Sequence, residues 1–130
     1  MGVYVDTSAL GRVLLGERAA PAILDKLETF DDVVSSRLLQ IELRWLARRH
    51  GLVEDANDLL AGMSLVPVDD ALLDAAETVR PENVATLDAI HLATALRLAR
   101  GGDLDALMTY DAQLAAGAAH HGIRVIAPTG

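Results

Sequence analysis

The chain has 130 residues, with 11 Lys and Arg against 19 Asp and Glu, a net charge of −8 and no cysteine. That length buries roughly two-thirds of the surface an unfolded chain exposes, enough for one domain with its own core and no covalent staple. Without cysteine there are no disulfides, thiolate metal sites or cysteine nucleophiles, and the acidic balance argues against holding nucleic acid by diffuse electrostatics.

Short apolar runs alternate with amphipathic segments from end to end. This predicts an α/β fold: a mostly parallel sheet of four or five short strands with helices on its faces. A strand is expected over Val3–Asp6, then helices over Ser8–Leu15 and Pro21–Thr29, a strand over Asp32–Ser35 and a helix over Leu38–His50. A helix over Asp55–Met63, a strand over Leu65–Val68 and a helix over Asp70–Val79 follow. The last elements are a helix over Leu87–Arg100, a strand over Leu107–Thr109, a helix over Ala112–Ala119 and a strand over Ile123–Ile126. Breaks at Gly16, Gly51, Pro81, Gly101, Gly102, Gly122 and Pro128 fall where caps and turns belong. With no repeat or linker, a single domain over residues 1–130 is expected. The N-terminus reaches Asp6 without a basic flank and apolar stretch, and no run approaches the ~18 apolar residues of a membrane span, so a soluble cytoplasmic protein is expected.

Four carboxylates stand where folds avoid negative charge. Asp6 ends the apolar run Val3-Tyr4-Val5, just past a strand, where open α/β sheets bind ligands; the alternative is an N-cap for the next helix. Glu42 has Leu38, Leu39, Trp45 and Leu46 at helical spacing, which predicts that it points along the core-facing stripe. Its alternative is an arginine from elsewhere folded over it. Asp88 lies in the first turn of its helix, two residues after Thr86, the expected N-cap, where the helix dipole favours an acid. Asp88, His91, Leu92, Ala95 and Leu96 share one helix face, and His91 reads as a packed or supporting histidine rather than a metal ligand. Asp111 repeats the setting of Asp6, cap alternative included, and Thr109, two residues earlier on a strand, is expected within reach of its carboxylate. Adjacent Asp69 and Asp70 stand at another junction, with Asp70 as a cap.

An ionised carboxylate among apolar neighbours needs a partner. Four of them converging on one sheet edge would repel one another, and Mg2+ or Mn2+ relieves that with hard oxygen ligands. Such a site predicts metal-dependent phosphodiester chemistry with one or two ions. Beside Glu42 runs a basic strip of Arg37, Arg44, Arg48, Arg49 and His50. Arg37, Arg44 and Arg48 are expected to receive phosphates of the substrate; the alternatives are a solvated face or a protein interface.

Taken in order, the motifs resemble those of the PIN-domain nucleases, most closely the VapC-type toxins of bacterial toxin–antitoxin pairs. They are Val5-Asp6-Thr7-Ser8-Ala9-Leu10, the acid and Arg-rich end of Leu38–Arg49, the run Leu87-Asp88-Ala89-Ile90-His91-Leu92, and Thr109-x-Asp111 followed by Gly122-Ile123-x-Val125 and Pro128. The resemblance spans nearly the whole chain and implies a three-layer PIN-like fold and a Mg2+- or Mn2+-dependent endoribonuclease. It puts Asp6, Glu42, Asp88 and Asp111 in the family's acidic positions, with Asp6 and Asp88 as direct ligands and Thr7, Ser8 and Thr109 as supporting hydroxyls. It also implies a homodimer silenced by a VapB-type antitoxin, with DNA contacted only through that antitoxin. A phospho-acceptor receiver is the weaker alternative, because it needs a lysine near the last strand and the only lysine is Lys26. A dehalogenase-like phosphatase wants Asp-x-Asp where Asp6 is followed by Thr7 and Ser8. A catalytically silent interaction module with the same fold is the third reading.

Overall fold

The computed structural model describes residues 1–130. The elements run β1 (Gly2–Val5), α1 (Thr7–Leu14), α2 (Ala20–Leu27), β2 (Asp32–Ser36), α3 (Arg37–His50), α4 (Val53–Ala61) and β3 (Ser64–Val66). They continue with α5 (Asp70–Thr78), α6 (Thr86–Arg100), β4 (Leu104–Met108), α7 (Ala112–His120) and β5 (Val125–Ile126). The five strands form one sheet in the order β3-β2-β1-β4-β5, every pairing parallel.

The sheet divides the apolar residues by the two-residue period of a strand. Val3 and Val5 of β1 and Ala106 and Met108 of β4 face a core closed by α1 to α4, including Leu10, Ile23, Leu39, Leu43 and Leu60. Tyr4 and Leu107 face the opposite core, with Leu92 and Leu96 of α6 and Leu114 and Ala118 of α7. Helix α6 lies against the sheet and is also covered by α5 and α7, so most of its length from Ala89 to Leu96 is buried.

Several element ends differ from the sequence expectation, each for a local reason. Strand β3 stops at Val66 rather than Val68, because Pro67 has no N–H to continue the ladder. Strand β4 begins at Leu104, three residues before the expected start, although Asp103 and Asp105 give its first half a polar look. There the pairing passes from Gly2–Leu104 to Val3–Ala106, a bulge that carries Asp105. A Cβ at Gly2 would lie 2.7 Å from the Asp103 carbonyl oxygen, so this approach needs glycine. Strand β5 is confined to Val125–Ile126, because the Ile123 N–H donates back to the Ala118 carbonyl and closes the end of α7. The cap of α5 is Asp69, not Asp70: its carboxylate accepts from the Leu72 N–H at 2.8 Å and also pairs with Arg97. Likewise Thr86 is the first residue of α6 rather than its N-cap, a position held by Ala85.

From β1 the chain winds outward through β2 and β3, then returns to β4 beside β1 and leaves toward β5. This reversal opens a crevice between the carboxyl ends of β1 and β4, the place where open parallel sheets gather ligands. Asp6 follows β1 there, and Thr109, Tyr110 and Asp111 follow β4.

Candidate active site

Asp6 is both a cap and the centre of a buried polar cluster. Only 3% exposed, it accepts from the Ala9 N–H at 3.1 Å and from Thr109 Oγ1 at 2.6 Å. Ser8 Oγ lies 2.8 and 2.9 Å from its two oxygens and accepts in turn from the Tyr110 N–H at 2.8 Å. Burial pushes its pKa above the usual carboxylate value, and the bonds from Thr109, Ser8 and Ala9 offset this only in part. Thr109 therefore serves Asp6 rather than the carboxylate of Asp111. Toward Asp111 it accepts from the backbone N–H at 3.0 Å, while the Asp111 side chain caps α7 through the Leu114 N–H at 2.8 Å.

Glu42 sits at the edge of the buried stripe of α3, which runs through Leu39, Leu43 and Ala47, and not along its middle. Trp45, expected to flank it in the core, is 52% exposed. The partner of Glu42 is a histidine, not an arginine. His91 Nε2 lies 2.9 Å from Glu42 Oε1, and Thr7 Oγ1 donates to the same oxygen at 2.7 Å. Burial opposes charge on Glu42, but the bonds from His91 and Thr7 outweigh it and hold its pKa below the usual value. His91 is 2% exposed, and its other nitrogen, Nδ1, is 2.6 Å from the hydroxyl of fully buried Tyr4. The role of Tyr4 was hidden in the sequence, where it reads as one more apolar residue of β1.

Asp88 is half-buried in the first turn of α6, within range of the charges of the other three acids. Its pKa is pushed up to about 6, first by burial, then by the charge of Asp111 and, more weakly, of Asp6 and Glu42, with His91 acting in the opposite sense. No group of three or more acids or histidines is gathered closely enough to hold a metal ion as the side chains stand. The donor set is nonetheless all carboxylate and hydroxyl oxygen, the chemistry that Mg2+ and Mn2+ take, and the repulsion on Asp88 is what a cation would relieve. In donor chemistry, though not yet in spacing, the residues fit a divalent ion.

Arg37, Arg44 and Arg48 are exposed on α3. At ~100° per residue, Arg44 lies roughly 200° around the helix from Glu42, so the strip and the pocket occupy different sides of α3. Ile41, 58% exposed, shares the arginine face, as does Trp45, whose ring lies 4.4 Å below the Arg48 guanidinium. A cation that sequence reading passed over is Arg12 of α1, which lies 4.2 Å over the ring of Tyr110, the residue before Asp111, and pairs with Glu17.

Fold and site together define a class: a parallel α/β protein with an acidic pocket at the topological switch point. The PIN domain family model matches residues 3–104. Ribonuclease VapC46 of Mycobacterium tuberculosis is 37% identical over 129 residues, covering 98% of each chain. Ribonuclease VapC47 of the same species is 33% identical over 133 residues, covering 97% of this chain and 96% of its own. Among solved structures, a toxin–antitoxin complex from Klebsiella pneumoniae superposes with a TM-score of 0.71 at 22% identity over 95% of both chains. VapC20 of M. tuberculosis, described as a sarcin-ricin loop cleaving toxin, gives 0.69 at 18% identity over 88% of this chain and 93% of its own. The chain belongs to the PIN domain family, within its VapC group. That membership sets aside the receiver and phosphatase alternatives. No helix is long and apolar enough to cross a membrane.

Proposed function

We propose that this chain is the toxin of a toxin–antitoxin pair and acts as a metal-dependent endoribonuclease through Asp6, Glu42, Asp88 and Asp111. The observation that carries the reading is geometric: Asp6 and Asp111 follow the adjacent strands β1 and β4, and Glu42 is bonded to His91 of α6, one turn along from Asp88. The names of the relatives support RNA as the substrate. Asp6 and Asp88 would hold Mg2+ or Mn2+, as one or two ions, with Glu42 and Asp111 binding directly, through water or at a second ion. An open arrangement suits Mg2+, which keeps several waters and takes one or two carboxylates together with substrate phosphates. When bound, the ion supplies Lewis acidity toward the phosphate and an activated water at neutral pH. The chain's own hydroxyls orient the acids: Ser8 and Thr109 hold Asp6, and Thr7 holds Glu42.

Arg37, Arg44 and Arg48 are assigned to RNA phosphates farther from the cleaved bond, since their side of α3 is not that of the pocket. A second reading of this helix has its own observation, the exposure of Ile41 and Trp45 among the arginines, which suits a protein partner. On the toxin reading those partners are a VapB-type antitoxin and a second copy of the chain, with DNA reached only through the antitoxin.

The test is incubation of the purified, partner-free protein with total cellular RNA in Mg2+, in Mn2+ and in EDTA, beside Asp6→Asn and Asp88→Asn. Discrete products that need the metal and disappear in both variants are expected. A folded protein that binds Mn2+ and leaves the RNA intact would instead indicate the silent interaction module.

A further inference from the structure

Glu42 differs from the other three acids in how it is held. Both of its hydrogen bonds arrive at one oxygen, Oε1, from Thr7 at 2.7 Å and His91 at 2.9 Å. No protein group donates to Oε2, and that atom is not among the buried polar atoms lacking a partner, so it is open to solvent. One oxygen is thus anchored and the other free.

The anchor continues inward. A carboxylate can only accept, so His91 Nε2 must carry the proton it presents to Glu42. In the neutral ring Nδ1 is then an acceptor, and it faces the Tyr4 hydroxyl at 2.6 Å. Tyr4 is fully buried and its ring meets that of His91 edge-on, with centroids 5.7 Å apart, so neither ring turns without disturbing the core. Ser35 and Thr94, the hydroxyls beside Tyr4, spend their protons on the Val5 and Ile90 carbonyls, so neither donates to Tyr4 or to Nδ1. Tyr4 therefore donates to Nδ1 and leaves Nε2–H as the tautomer that reaches Glu42.

We infer that His91 is a positioning residue whose tautomer is set by Tyr4, and that its Nε2–H fixes Oε1 of Glu42 so that Oε2 is presented to the cation and the RNA. The inference rests on the proposed role of Glu42 and adds Tyr4 and His91 to the working parts of the site. Partners behind metal-binding side chains commonly change metal affinity or activity by about 10- to 100-fold when removed. A histidine that merely filled space would be replaced by leucine without such an effect.

The experiment compares His91→Leu, which removes the donor, with His91→Gln, which restores an N–H near the Nε2 position, and with Tyr4→Phe. Mn2+ affinity is measured by calorimetry on RNA-free protein, and kcat and KM on an RNA that the wild type cleaves. His91→Leu should weaken Mn2+ binding by about 10-fold or more and lower kcat with KM nearly unchanged, and His91→Gln should recover most of both losses. Side-chain 15N NMR should find His91 protonated at Nε2 in the wild type and a mixture of tautomers in Tyr4→Phe. Wild-type Mn2+ affinity and kcat in His91→Leu, or a His91 ring protonated only at Nδ1, would overturn the inference. Should His91→Leu fail to fold, Tyr4→Phe and the NMR signature decide the matter. A wild-type protein that binds no Mn2+ would count against the metal reading of Glu42 and leave the tautomer measurement to judge the relay.

Discussion

Asp6 serves the fold and the proposed chemistry at once, and the two uses can be separated by choice of substitution. Its carboxylate caps α1 and takes the hydroxyls of Ser8 and Thr109 in a site almost closed to water. Asp6→Ala should therefore cost about 2 kcal/mol through the lost cap and the stranded hydroxyls. Asp6→Asn keeps an acceptor and removes a charge that burial disfavours, so in chemical denaturation it should match or exceed the wild type without metal. Both should abolish cleavage. A pair of equally stable variants would show that the cap contributes nothing. Asp88 gives the complementary case. Its carboxyl titrates near about 6 in the folded chain against an ordinary 3.8, so across that window the native state holds a proton the unfolded chain has released. Stability from this group is therefore lost as pH rises through the window and is fully lost above it. In metal-free protein at pH 7, Asp88→Asn should be more stable than the wild type by about 1 kcal/mol, a figure discounted because the group is partly exposed. The gap should close as the pH approaches 4. A constant difference at both pH values would mean that the ionisation of Asp88, disfavoured first by burial and then by the neighbouring acids, is not its source.

At the scale of elements, α3 carries two unlike faces. One side delivers Leu39, Leu43 and Ala47 to the core and Glu42 to the rim of the pocket. The other presents Arg44 and Arg48 with Ile41 and Trp45 in solvent. Double charge reversal, Arg44→Glu with Arg48→Glu, should weaken RNA binding about 10-fold or more while leaving Mn2+ affinity unchanged, because contacts with phosphates are lost and the pocket is untouched. Fluorescence anisotropy on a labelled RNA would read the first and calorimetry the second. Unchanged RNA affinity with altered self-association would reassign the face to a protein partner.

For the whole molecule the decisive balance is between its negative charge and its substrate's. A chain of net charge −8 has little general attraction for RNA, so the proposed activity depends on local cations at the crevice between β1 and β4. An ion that binds only the folded protein raises its stability by mass action, about 2.7 kcal/mol at a hundred times its Kd. The melting temperature of the wild type should accordingly climb with Mn2+ concentration, and that of Asp88→Asn should climb much less. Equal gains in the two would remove Asp88 from the binding site.

Much of this architecture was legible in the order of residues, because strand alternation, helical spacing and junction acids act over a few positions. The alternating elements, the parallel sheet and the placement of Asp6 and Asp111 immediately after strands all follow from such local rules. The burial of His91 was also readable, from the apolar residues that share its helix face. Partnership was another matter. His91 and Glu42 are 49 residues apart, and Thr109 and Asp6 are 103 apart, so no local rule could pair them. Only the sheet order, which sets β4 beside β1 and lays α6 across both, brings Thr109 to Asp6 and stands Tyr4 behind His91. The bulge at Asp105 and the turning of the α3 arginines away from Glu42 were decided in the same way, by how closely neighbouring elements pack once the core has closed.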